Sequence, residues 1–87
     1  MTMVVSTESY NKRTRYLWFR EIPKPARKTR YVEVVSLSQS LLLGTILWYG
    51  TWRQYVFEPE PETVWNVDCL KDVRTVIEEL KAERREG

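Results

Sequence analysis

The chain has no histidine and one cysteine among its 87 residues, and these two shortages remove most familiar enzyme chemistry. Without imidazole there is no ordinary neutral-pH general base, no histidine-dependent triad and few ways to build a zinc site. Cys69 alone closes no internal disulfide, which fits a reducing compartment. With 3 glycines there is no glycine-rich phosphate loop. No apolar run approaches the roughly 20 residues of a membrane-spanning helix, and the longest, Leu41 to Tyr49, is interrupted by Gly44 and Thr45. Met1 to Ser6 lacks the charged start and long apolar core of a secretory leader. These shortages predict a non-enzymatic protein with no catalytic residues, no metal and no cofactor. They also predict a cytoplasmic setting without a membrane partner.

What is present is apolar and aromatic. Hydrophobic residues make up 43% and aromatics 13%, enough for one folded domain with a single core. The run from Gly44 to Phe57 reads as a β-hairpin, two β-branched and aromatic strands flanking Gly50-Thr51 in the pattern of a two-residue type II′ turn. In that register Tyr49 opposes Trp52, Trp48 opposes Arg53, Leu47 opposes Gln54 and Ile46 opposes Tyr55. Alternation then sorts Ile46, Trp48, Tyr55 and Phe57 onto one face, with Arg53 at its rim. The other face carries Thr45, Leu47, Tyr49, Trp52, Gln54 and Val56, and is more apolar than a solvated face should be.

Elsewhere, Tyr31 to Leu37 reads as a strand with Val32 and Val34 on one side. Arg15 to Ile22 reads as another, with Leu17 and Phe19 together, ended by Pro23-Lys24-Pro25. Glu58-Pro59-Glu60-Pro61-Glu62 stops the sheet, and its alternating prolines favour an extended solvated segment. Asn66 is a good helix N-cap with Asp68 in the first turn, and Trp65 is placed to staple against Leu70. From there Cys69, Leu70, Val73, Val76, Ile77 and Leu80 recur at three- and four-residue steps. The expectation is an α+β fold: an antiparallel β-meander of three to four strands packed through its Ile46 face against one C-terminal helix. Residues 1–14 are expected as a flexible tail and residues 15–87 as the single domain.

The run Leu42 to Val73, with Leu-Gly-Thr-Ile-Leu-Trp-Tyr-Gly-Thr-Trp-Arg-Gln-Tyr-Val-Phe at its start and Cys69-Leu70 near its end, resembles a family of small uncharacterised proteins of bacteria, archaea, phages and mobile elements. Their shared pattern is L-G-x-I-x-W-Y-x-x-W-R-Q-Y-x-F-x-P-E, followed by C-L-x-x-[IV]. The resemblance covers roughly residues 27 to 80. Leu47 departs from it where a lysine is expected, and Glu58 where an aromatic or apolar residue is expected. It implies a fold and a viral or mobile-element setting, hence a host-cell cytoplasm, and it implies no activity.

Two sets of candidate binding residues remain. Tyr49, Trp52 and Gln54, with Arg53 nearby, form either an aromatic platform for a partner or the cover of a second small cluster with Leu47 and Val56. The charges divide unevenly: residues 1–30 hold eight basic and two acidic side chains, and residues 31–87 six and ten. Arg13, Arg15, Arg20, Lys24, Arg27, Lys28 and Arg30, together with Lys12, are therefore either phosphate contacts or a basic arm that docks on its own acidic body. Glu58, Glu60 and Glu62 fan outward on an extended segment and make a poor cation site. Cys69, on the apolar stripe, reads as a structural thiol. The favoured function is a protein-binding module, plausible as an inhibitor of a host defence or nucleic-acid-processing complex. The alternatives are nucleic-acid binding through the arm and aromatic face, and a homo-oligomeric structural role such as a homodimer.

Overall fold

The computed structural model describes residues 9–24 and 28–86. Five strands run in chain order through one antiparallel sheet: β1 (Asn11–Arg13), β2 (Leu17–Glu21), β3 (Val32–Ser36), β4 (Leu42–Tyr49) and β5 (Gln54–Pro59). The single helix α1 (Val67–Glu86) follows. This is the α+β meander with a C-terminal helix read from the sequence, with five strands rather than three or four. The additional strand is β1, which lies inside the stretch expected as a tail. Its Asn-Lys-Arg sequence has no apolar alternation to mark it, and short polar strands are how sheets blunt their edges. It pairs Asn11 with Arg20 and Arg13 with Trp18, so β2 joins the sheet between β1 and β3.

The hairpin of β4 and β5 forms in a register two residues from the expected one. The pairs run Tyr49–Gln54, Trp48–Tyr55, Leu47–Val56, Ile46–Phe57, Thr45–Glu58 and Gly44–Pro59. A type II′ turn requires positive φ at Gly50, but the positive φ belongs to Arg53, at 55°. Arg53 closes a four-residue loop, its N–H donating to the Tyr49 carbonyl at 2.9 Å. Because side chains alternate with a period of two, a slip of two residues leaves every residue on its expected face. Trp52 and Arg53 change place, leaving the ladder for the loop.

The helix-facing side of the sheet carries Leu17, Phe19, Val32, Val34, Ile46 and Tyr55, which bury against Val73, Val76 and Leu80. Phe19, Val32, Val34, Ile46 and Val76 are fully enclosed. Asn66 caps α1 as expected, its Oδ1 accepting the Cys69 N–H at 2.8 Å. Trp65 takes a different partner from the expected staple. Its ring stands edge-on to Phe57 at 4.8 Å, while Leu70 remains 47% exposed. Phe57 in turn lies over Gly44, where an added Cβ would sit 2.5 Å from the Phe57 ring and 2.9 Å from the Glu58 carbonyl oxygen.

Two charged clamps fasten the N-terminal half to α1. Tyr10 Oη donates to Glu79 Oε1 at 2.6 Å, and Lys12 Nζ meets Glu79 Oε2 at 2.8 Å. Arg30 reaches Glu83 through Nε and Nη2, both at 2.8 Å, and Glu21 through Nη1. The Arg30 N–H also donates to Tyr55 Oη at 3.1 Å. Hydrogen bonds from Lys12 and Tyr10 hold the Glu79 carboxyl below its ordinary value, and the Arg30 guanidinium does the same for Glu83. Burial, reinforced by Glu79, pushes the Tyr10 phenol up. For Lys12 and Arg30, docking on the chain's own acidic body is the outcome.

Val73→Asp places an unpaired charge in the buried seam and is expected to cost about 3 kcal/mol or more; an unchanged denaturation midpoint would refute the packing. Gly44→Val should destabilise by about 1–3 kcal/mol through displacement of Phe57, whereas the same change at Gly50, where a Cβ meets nothing within 4 Å, should be milder. The clamps set an acid limit. Glu79 and Glu83 have folded pKa values below their unfolded ones, so their contribution is complete above the ordinary value of 4.5 and is lost as pH falls through the folded values. The thermal midpoint of the Glu79→Gln/Glu83→Gln variant should therefore lie below wild type at neutral pH and converge with it in acid.

Candidate partner-binding surface

The hairpin end is built by the four-residue loop. Releasing Trp52 from the ladder lets its ring meet Tyr49 edge-to-face at 5.0 Å, a favoured aromatic geometry. Both remain open to solvent, Tyr49 at 42% and Trp52 at 65%. Tyr49 shares its face with Leu47 and Val56, which are half-buried. Of the two readings of this face, a covered cluster and an open platform, the fold leaves it without a second layer among the described elements. The helix lies on the opposite side, and β1 and β2 extend the sheet rather than crossing it.

Arg53 parts from Tyr49 and Trp52, while Gln54 pairs directly with Tyr49 across the ladder. Arg53 and Gln54 line a cleft of about 440 Å³ between the hairpin end and the C-terminal half of α1, together with Trp48, Tyr55, Ile77, Glu78, Lys81 and Arg84. Trp48 stands edge-on to Tyr55 at 5.3 Å. The Arg84 guanidinium lies over the Trp48 ring, 4.1 Å from its centroid. The candidate residues at the hairpin end thus serve two adjoining surfaces, an aromatic tip and a basic cleft. Sequence reasoning missed the cleft because Trp48 and Ile77 read as core, and no pattern drew attention to Lys81 or Arg84. The usable signal was the spacing of Ile77, Lys81 and Arg84, which steps along one helical stripe.

The basic candidates disperse. Arg13 and Arg20 flank the Trp18 ring at 4.9 and 5.1 Å, and Arg20 also pairs with Glu33 at 3.0 Å. Arg15 lies over Tyr16 and Lys24 over Tyr31. Arg30 is engaged by Glu21 and Glu83, Lys28 is exposed, and Arg27 lies outside the described residues. Among the described residues, Arg13, Trp18 and Arg20 come together on the face of the sheet away from the helix, where Trp18 pairs with Val35. Trp18 Nε1 donates to Asn11 Oδ1 at 3.1 Å, which fixes the ring between the two guanidinium groups.

Glu58, Glu60 and Glu62 do not form the expected extended segment. Glu58 and Pro59 belong to β5, the Glu60 N–H donates to the Leu43 carbonyl at 2.9 Å, and Glu62 turns the chain with φ of 63°. Thr63 Oγ1 closes that turn on the Glu60 carbonyl at 2.8 Å. Among the described residues no group of three acidic, cysteine or histidine side chains is placed to hold a metal. Burial and the neighbouring Asp72 push the Cys69 thiol up, so the half-buried sulfur is a poor nucleophile. No helix of the described residues is long and apolar enough to cross a membrane.

No family model and no solved structure matches the chain. It is 36% identical over 75 residues to the "Uncharacterized 9.3 kDa protein" of Acholeplasma phage L2, a match spanning 86% of this chain and 96% of the phage protein. The chain belongs to the family of small phage proteins that this relative represents.

Proposed function

We propose that the protein is a non-enzymatic binding module of a phage or mobile element that acts by occupying a surface on a host or element protein. In its most concrete form it inhibits a defence or nucleic-acid-processing complex in the host cytoplasm. The observation that carries this reading is the edge-to-face Tyr49–Trp52 pair, exposed at the end of a rigid hairpin and continuous with the apolar Leu47 and Val56. Exposed aromatic anchors beside an uncovered apolar face are the usual mark of an interface. Neutralisation of Lys12, Arg20 and Arg30 by the chain's own carboxylates speaks against phosphate contact as the main role of the arm.

A second reading rests on Trp18 between Arg13 and Arg20, an arrangement suited to stacking a base beside a phosphate. Affinity capture from host lysate with the full chain separates the two. Under the first reading a host protein is retained after nuclease treatment, and Tyr49→Ala/Trp52→Ala weakens its purified interaction by at least tenfold, about 1.4 kcal/mol or more. Under the second, retention disappears with nuclease and depends on Trp18. Oligonucleotide binding then falls with salt at a log–log slope of about −0.7 per contact on single strands or −0.9 on duplex.

A further inference from the structure

The cleft beside the hairpin carries more positive charge than its own chain uses. Arg53, Lys81 and Arg84 line it, and among the described residues none of the three makes an ion pair. Its one carboxylate, Glu78, is directed to Arg74 at 3.6 Å. Arg84 lies over the Trp48 ring, 4.1 Å from its centroid, and a guanidinium resting on an aromatic face can still offer its edge N–H groups to a carboxylate. The floor is apolar and aromatic, from Trp48, Tyr55 and Ile77.

The chain itself bears a feature of opposite sign and shape. The turn after β5 projects Glu60, Pro61 and Glu62, all exposed, and neither glutamate makes an ion pair among the described residues. The left-handed φ of Glu62 and the Thr63–Glu60 hydrogen bond make this segment a convex knob. It cannot reach its own cleft. Gln54 at the cleft and Glu60 at the turn stand at opposite ends of β5, about 20 Å apart at the rise of an antiparallel strand.

We infer that the basic cleft receives the Glu60–Glu62 turn of a second copy of this chain. The two carboxylates meet Arg84, Lys81 and Arg53, and the Pro61 ring lies on the Trp48/Tyr55/Ile77 floor. A knob at one end and a socket at the other make the contact heterologous, so copies add head to tail. The small contact is weak and salt-sensitive. It depends on neither reading of the aromatic tip.

Sedimentation of the full chain from micromolar to millimolar concentration tests this. At low salt the weight-average mass should rise from the 10.5 kDa monomer to at least twice that value, and should return to monomer at high salt. Lys81→Glu/Arg84→Glu and Glu60→Lys/Glu62→Lys alter exposed positions, and circular dichroism should show both folded. Each alone should stay monomeric, because like charges then face one another. Mixing them should restore association, since each variant's turn meets a cleft of opposite sign. A wild type that stays monomeric at every concentration, variants that associate as wild type does, or a mixture that remains monomeric would each overturn the inference.

Discussion

The seam between α1 and one face of the sheet is the constraint on which the rest of the molecule depends. Val73, Val76 and Leu80 enter a surface made by Leu17, Phe19, Val32, Val34, Ile46 and Tyr55, the buried core of the described residues. One helix packs on one face of a sheet and forms a two-layer fold. Among the described residues the helix covers one face and no element lies on the other, which carries the half-buried Trp18, Leu47 and Val56 and the exposed Tyr49. The exposed apolar surface follows from the way the core is spent.

The helix contributes through its polar flank as well. Glu79 and Glu83 step along one side of α1 and receive Lys12 and Arg30, so the basic N-terminal half is held by charge where apolar contact is thin. Such partly exposed pairs are individually weak. Tyr10, through both its hydrogen bond to Glu79 and its packing on the core, couples one clamp to the apolar seam. Spending those carboxylates near β1 and β3 leaves the opposite flank with Lys81 and Arg84 unanswered. The basic cleft is the electrostatic remainder of that arrangement.

The helix was legible because its cap, acidic first turn and apolar stripe agree with one another. Hairpin faces were legible for a different reason, parity: an error of two residues in register preserves inside and outside. The loop was not legible, because Gly50-Thr51 invites a two-residue turn while the positive φ falls on Arg53, a residue with no special preference for it. β1 was hidden because an edge strand fastened by Tyr10, Lys12 and backbone pairing needs no apolar alternation. At the candidate site, Tyr49 and Trp52 could be identified by residue type, but not their edge-to-face placement across a four-residue loop. Trp18 between two arginines required the β1–β2 register, which no local pattern discloses.

The loop length therefore matters more to function than its four residues suggest. A two-residue turn would have set Trp52 into the ladder opposite Tyr49, flattening both rings along the sheet. The longer loop lifts Trp52 clear while the ladder still holds Tyr49, so one ring braces the other at the end of the strand pair. Aromatic anchors bind well when little side-chain freedom remains to be lost, and here the bracing precedes any encounter. Arg53, at the end of the same loop, keeps to the Trp48 side and lines the cleft. The apolar contact surface and the cationic one thus lie back to back across a single strand pair.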